Sequence, residues 1–155
     1  MHHGLSVAYR ALGDDDNAAQ MLDAALRIEP GHEPALFDKA RLLQKRGDLH
    51  GADQLYLRLT ARNETRVDAI FNRGVVMFRK GNLKAAERWF RQAAKLDPDA
   101  PRPLTNLALI YRYLGHFDAA DRCLRHVVAL YPDFVEAQWN LANLELLLGN
   151  LKDGF

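Results

Sequence analysis

The chain has 155 residues, 48% of them hydrophobic and 26% charged, with 21 Lys and Arg against 20 Asp and Glu. That balance removes the electrostatic case for nucleic acid or an anionic membrane surface, and a single cysteine, Cys123, excludes an internal disulfide framework or a cysteine-based zinc site. No apolar run approaches the ~20 residues of a spanning helix, and the opening MHHGLSVAYR lacks a signal peptide's apolar core; a reduced, cytoplasmic setting is expected. In chain order, apolar spacing predicts helices over about 3–12, 16–29, 34–46, 50–63, 67–80, 84–97, 101–114, 118–131 and 135–148, and the start of another from 151. No segment alternates as a strand would.

The helices recur with a fixed period. Gly13, Gly47, Gly81, Gly115 and Gly149 are each 34 residues apart, and the chance odds of that alignment are on the order of 10⁻⁵. Five residues after the glycine comes Ala18, Ala52, Ala86 or Ala120, and nine after it Leu22, Tyr56, Phe90 or Leu124. Seven before it stands a small residue: Ser6, Ala40, Gly74, Ala108 or Ala142. Seventeen after it stand Pro30, Pro98 and Pro132, with Glu64 the exception. Glycine suits a helix C-terminus, where a left-handed residue is cheap. Proline stops the second helix. Each period is therefore a hairpin of two antiparallel helices, with the small residues facing one another at close approach.

These features resemble the tetratricopeptide repeat family, along essentially the whole chain. The best copies are AIFNRGVVMFRKGNLKAAERWFRQAAKLDP and LTNLALIYRYLGHFDAADRCLRHVVALYP. Both hold the small residue, the large residue four before the glycine (Met77, Tyr111), the glycine, the alanine, the large apolar residue and the proline. The resemblance implies an all-α, right-handed superhelical solenoid of antiparallel helix hairpins. One array is expected over 1–155, with repeats at about 1–32, 33–66, 67–100, 101–134 and a partial 135–155. Departures fall on packing positions: Leu59 stands where Ala25 and Ala93 sit, Lys39 and Arg73 replace a leucine, and Glu145 replaces a large residue.

The resemblance also implies that the first helices line a concave groove. Asn72, Asn106 and Asn140, preceded by Asp38, recur nine residues before the glycine. An asparagine offers donor and acceptor and can hold a peptide backbone without reading its sequence; such a ladder resembles that of O-GlcNAc transferases. The plainer reading is an asparagine bridging helices or solvated. Aromatic anchors are expected from Phe37, Phe71, Phe78, Tyr113 and Trp139, or these are core. Arg10, Arg41, Lys45, Arg79, Arg102 and Arg112 outnumber Asp38, Asp68 and Glu136 there, which favours an acidic or carboxylate-bearing partner. The site of the family's carboxylate-clamp lysine reads His3, Phe37, Phe71, Thr105 and Trp139, so a clamp of that type is not expected.

Other constellations carry less. Asp14–Asp15–Asp16–Asn17 lacks the glycine and distal glutamate of a calcium loop and reads as a helix cap. Cys123 and His126 can share a helix face, but the cysteine reads as core filler. No metal, cofactor or catalytic set is expected. The function expected is a non-catalytic scaffold binding a peptide or partner helix. Two alternatives stand beside it: the recognition region of a larger enzyme, with a glycosyltransferase- or sulfotransferase-like domain after Phe155, and a self-assembling module. The apolar, uncapped last segment WNLANLELLLGNLKDGF suggests a longer natural protein, or a homo-oligomer contact through Leu144, Leu148, Leu151 and Phe155.

Overall fold

A computed structural model describes residues 2–63 and 66–153, with side chains up to 149. Among the described residues there are nine helices and no strand: α1 His2–Ala11, α2 Asp15–Ile28, α3 Glu33–Arg46, α4 Leu49–Arg62, α5 Val67–Arg79, α6 Leu83–Leu96, α7 Pro101–Tyr113, α8 Phe117–Leu130 and α9 Val135–Asp153. Through α8 each boundary lies within a residue or so of its expected place. Gly13, Gly47, Gly81 and Gly115 take the left-handed conformation, with φ from 76° to 88°, which lets the chain leave one helix and enter the next. After the first three the following residue caps the new helix through its side chain, whereas His116, after Gly115, makes no such bond. Asp14 accepts from the Asn17 amide at 3.0 Å, Asp48 from Gly51 at 2.8 Å, and Asn82 from Ala85 at 3.0 Å.

Gly149 departs from this pattern. The expected turn is absent, and α9 runs through it to Asp153. Glycine permits a left-handed turn without compelling one, and here the helical hydrogen-bond ladder continues. Glu64, where proline was expected, lies outside the described residues, as do Phe155 and the Leu151 side chain.

The chain divides into two compact units between Lys80 and Gly81. In the first, α1 packs on α2, α2 on α3, α3 on α4 and α4 on α5. Its main cluster is Leu36, Ala40, Ala52, Tyr56, Leu59, Ala69 and Val76, all essentially inaccessible. Leu59 thus fills the core where Ala25 and Ala93 stand in other repeats; burying such a side chain contributes roughly 2 kcal/mol. In the second unit α6 packs on α7, α7 on α8, and α9 on both α7 and α8. Ala108, Ala120, Leu124, Val127, Ala137 and Leu144 form its cluster, joined by Cys123, Leu141 and Leu148. Leu144 and Leu148 therefore pack inside their own chain. That corrects the expectation that they await another copy.

The charged departures from the repeat pattern become ion pairs between neighbouring helices. Lys39 on α3 meets Asp23 on α2, and Arg73 on α5 meets Asp53 on α4 at 3.1 Å. Glu145 on α9 receives Arg125 of α8 at 2.8 Å. A long cation can lay its apolar stem where leucine would pack and still carry its charge to a carboxylate.

Candidate interaction surface

The positions expected in the groove are placed in three different ways. The first group is internal. Phe71 is only 5% exposed and is a core residue rather than an anchor. Asp38 is 8% exposed; it accepts from Arg10 and lies 3.0 Å from His3 Nε2, so it ties α3 to α1. Phe37 is half-buried, edge-on to Tyr56 at 5.8 Å, with the Arg66 guanidinium 5.0 Å from its ring centroid.

The second group is accessible but engaged. Lys45 is exposed and pairs with Asp15. Arg79 is exposed and donates to the Gln44 carbonyl. Phe78 is half-buried. Asn72 donates from Nδ2 to the Asp68 carbonyl at 2.7 Å, and Asn106 to the Arg102 carbonyl at 2.9 Å. Each amide is thus pinned to its own helix one turn back, a use that was not anticipated. The bond orients the amide and leaves Oδ1 and one amide hydrogen for other partners.

The third group is the most exposed or lies beside exposed residues. Arg41 and Tyr113 are exposed, the latter at 59%, and the Arg112 guanidinium lies 5.4 Å from the Tyr113 ring centroid. In the second unit Arg112 of α7 and Asn140 of α9 both border a packing gap among Ala108, Leu109, Ala120, Leu124 and Leu144 that is too tight to admit water. Trp139 is 69% exposed. The basic surplus expected here is partly consumed inside the chain: Arg10 and Lys45 both face carboxylates.

The remaining constellations resolve into local structure. Asp14 caps α2, and the hydrogen bonds from Asn17 hold its carboxyl below the ordinary carboxylate value. Asp15 and Asp16 pair with Lys45 and Arg46. Burial pushes the Cys123 thiol up, against a smaller pull from Arg122, while His126 turns to Asp99 at 3.1 Å. A raised thiol beside an engaged imidazole is not an activated nucleophile. Among the described residues no His, Cys, Asp and Glu cluster suits a metal ion, and no helix is long and apolar enough to cross a membrane.

Helix pairs repeating every 34 residues, with left-handed glycines and capped second helices, define a helical-repeat protein. Tetratricopeptide repeat models match residues 2–34, 37–101 and 105–154, and the chain belongs to that family. Among solved structures it is similar to a thermophilic tetratricopeptide protein of Thermus thermophilus, at 28% identity and TM-score 0.76, covering 97% of this chain and 83% of that one. MamA (41-end) of Desulfovibrio magneticus RS-1 matches at 17% identity and TM-score 0.85, over 98% and 86% of the two chains. A tetratricopeptide repeat protein of Parabacteroides merdae matches at 21% and 0.84, over 96% of this chain and 59% of that one. No curated protein matches the chain. The fold is an all-α tetratricopeptide solenoid, a class of generally non-catalytic scaffolds with protein partners.

Proposed function

We propose that this chain is a non-catalytic scaffold that holds a peptide or partner helix against its first-helix faces. The observation that supports the reading is the outer face of α7, which carries the Asn106 amide held to the Arg102 carbonyl and the exposed Tyr113 with the Arg112 guanidinium 5.4 Å from its ring centroid. Asparagine supplies sequence-independent bonds to a peptide backbone, Arg112 a charge-assisted bond to an acidic group, and Tyr113 a rigid apolar contact. Asn72 and Asn106 are pre-oriented by their own helices, which lowers the ordering cost of a further bond. Arg41, Arg79 and Arg112 are the cations that favour an acidic segment.

The experiment is selection of binding peptides from a displayed library, followed by titration against the chain and its variants. Asn72→Ala, Asn106→Ala and Asn140→Ala combined should weaken a selected peptide about tenfold, roughly 1.4 kcal/mol, with helicity unchanged. Arg112→Ala should weaken acidic peptides more than neutral ones and flatten the salt dependence. Unchanged affinity in the triple variant would remove the asparagines from the mechanism.

A further inference from the structure

The outer face of α6 carries a row of four cations. Lys84, Arg88, Arg91 and Lys95 are all exposed. Steps of four, three and four residues keep them within an arc of about 60° and a length of roughly 16 Å on an α-helix. The opposite face, with Ala86, Phe90 and Ala93, is fully buried, so the row points away from the core. Among the described residues one carboxylate answers it: Glu87, 3.5 Å from Arg91 one turn on. The Arg88 guanidinium lies 5.4 Å from the Trp89 ring centroid, a contact that steadies the side chain without neutralising it.

Folding does not require this row. Like charges three and four residues apart destabilise a helix. Lys84 stands in the first turn, where the helix dipole disfavours a cation, and α6 has no acid there to offset it. The other second helices show that the positions are free to vary. Where α6 has the row, α2 holds Asp16 and Asp23, α4 holds His50 and Leu57, and α8 holds Asp118 and Ala129. All of them still bury an alanine and a large apolar residue on the inner face, as α6 does. In α8 Arg125 keeps its charge but gives it to Asp121 and Glu145. The concentration of uncompensated charge is peculiar to α6, and it opposes helix stability.

The geometry points to the row Lys84–Arg88–Arg91–Lys95 as a docking site for an acidic helix of a partner protein, with Asp or Glu at the same steps of four, three and four. Two helices lying side by side then set each carboxylate against a cation, and arginine can grip a carboxylate with two hydrogen bonds. A nucleic acid or an anionic membrane is the poorer fit. Either extends past both ends of so short a row, and beyond Lys95 it meets the exposed Asp97 and Asp99. The chain as a whole is close to neutral, so no wider field draws a long polyanion. A short acidic helix stops where the row does.

The inference rests on the scaffold reading but uses a second-helix face, so the two fail separately. The probe is a fluorescein-labelled, hydrocarbon-stapled alanine helix with four glutamates at those steps. Anisotropy at low salt should show saturable micromolar binding to the whole chain, weakened about tenfold at physiological salt. An isomer with its glutamates scattered around the helix should bind about fivefold less tightly. Arg88→Glu with Lys95→Glu should abolish binding; both sites are exposed, so helicity by circular dichroism should hold. Reversal of all four cations to glutamate should transfer binding to a probe with lysines in place of its glutamates. The triple asparagine variant should bind the acidic probe normally. No saturable binding, equal binding of the scattered isomer, or undiminished binding in the double variant would overturn the assignment. So would loss of binding in the triple asparagine variant, which would place the probe in the groove. Tighter binding of a single-stranded oligonucleotide or of phosphatidylserine vesicles than of the probe would overturn it too, by giving the row to a long polyanion.

Discussion

Tyr56 on α4 donates its phenol hydrogen to Gln44 Oε1 on α3 at 3.2 Å, from a side chain with no solvent exposure. The bond sits one turn before Gly47, so it ties the two helices of a hairpin together close to their turn. Its ring also meets Phe37 edge-on. One residue therefore supplies core volume, an aromatic contact and an inter-helix hydrogen bond. Tyr56→Phe keeps the first two and should cost about 1 kcal/mol in urea unfolding.

The same residue sets an alkaline dependence. Burial pushes the Tyr56 phenol above its ordinary value of 10. The fold thus favours the neutral phenol, so this contribution to stability is fully present below pH 10. It is lost as pH rises above 10, where the unfolded chain releases its proton first. Urea midpoints should fall across that range in the parent chain and fall less in Tyr56→Phe. Parallel declines would assign the alkaline loss to other groups.

Two glycines at the same repeat position should respond to alanine with opposite signs. Gly47 has φ 88°, where a Cβ costs roughly 1–2 kcal/mol. Gly149 is helical and exposed, and a Cβ added there would meet no atom within 4 Å, so alanine should stabilise α9 by about 0.5–1 kcal/mol. Thermal unfolding followed by circular dichroism decides the matter. Equal destabilisation by the two substitutions would mean that the chain turns at Gly149 after all.

Arg73 and Asp53 test how a charge replaces leucine in the repeat. Both side chains are largely covered, at 11% and 17% exposure. Asp53→Ala should cost about 1–3 kcal/mol because it removes the carboxylate that faces a largely covered cation. Arg73→Leu with Asp53→Ala removes both charges and restores the apolar residue, and should be less destabilising than Asp53→Ala alone. Additive losses in the double-mutant cycle would show that the two do not interact.

Most of the architecture was legible before any coordinates. The 34-residue period fixes where helices begin and end because its markers act locally. Glycine lowers the cost of a left-handed residue, Asp14, Asp48 and Asn82 cap the next helix, and proline ends one. Stacked repeats also make their main contacts with sequence neighbours, so Ala40 with Ala52, and Ala108 with Ala120, could be paired from spacing alone.

The fate of individual polar and apolar side chains was decided by tertiary structure. Nothing in the period says that Asn72 and Asn106 bond their own helices, that Asp38 is claimed by Arg10 and His3, or that Glu145 meets Arg125. Each depends on which neighbour arrives within about 3 Å, and identical repeat positions meet different neighbours. The same holds for α9. Its sequence carries the repeat pattern through Gly149, yet among the described residues the helix runs on to Asp153, because glycine permits a left-handed turn without compelling one.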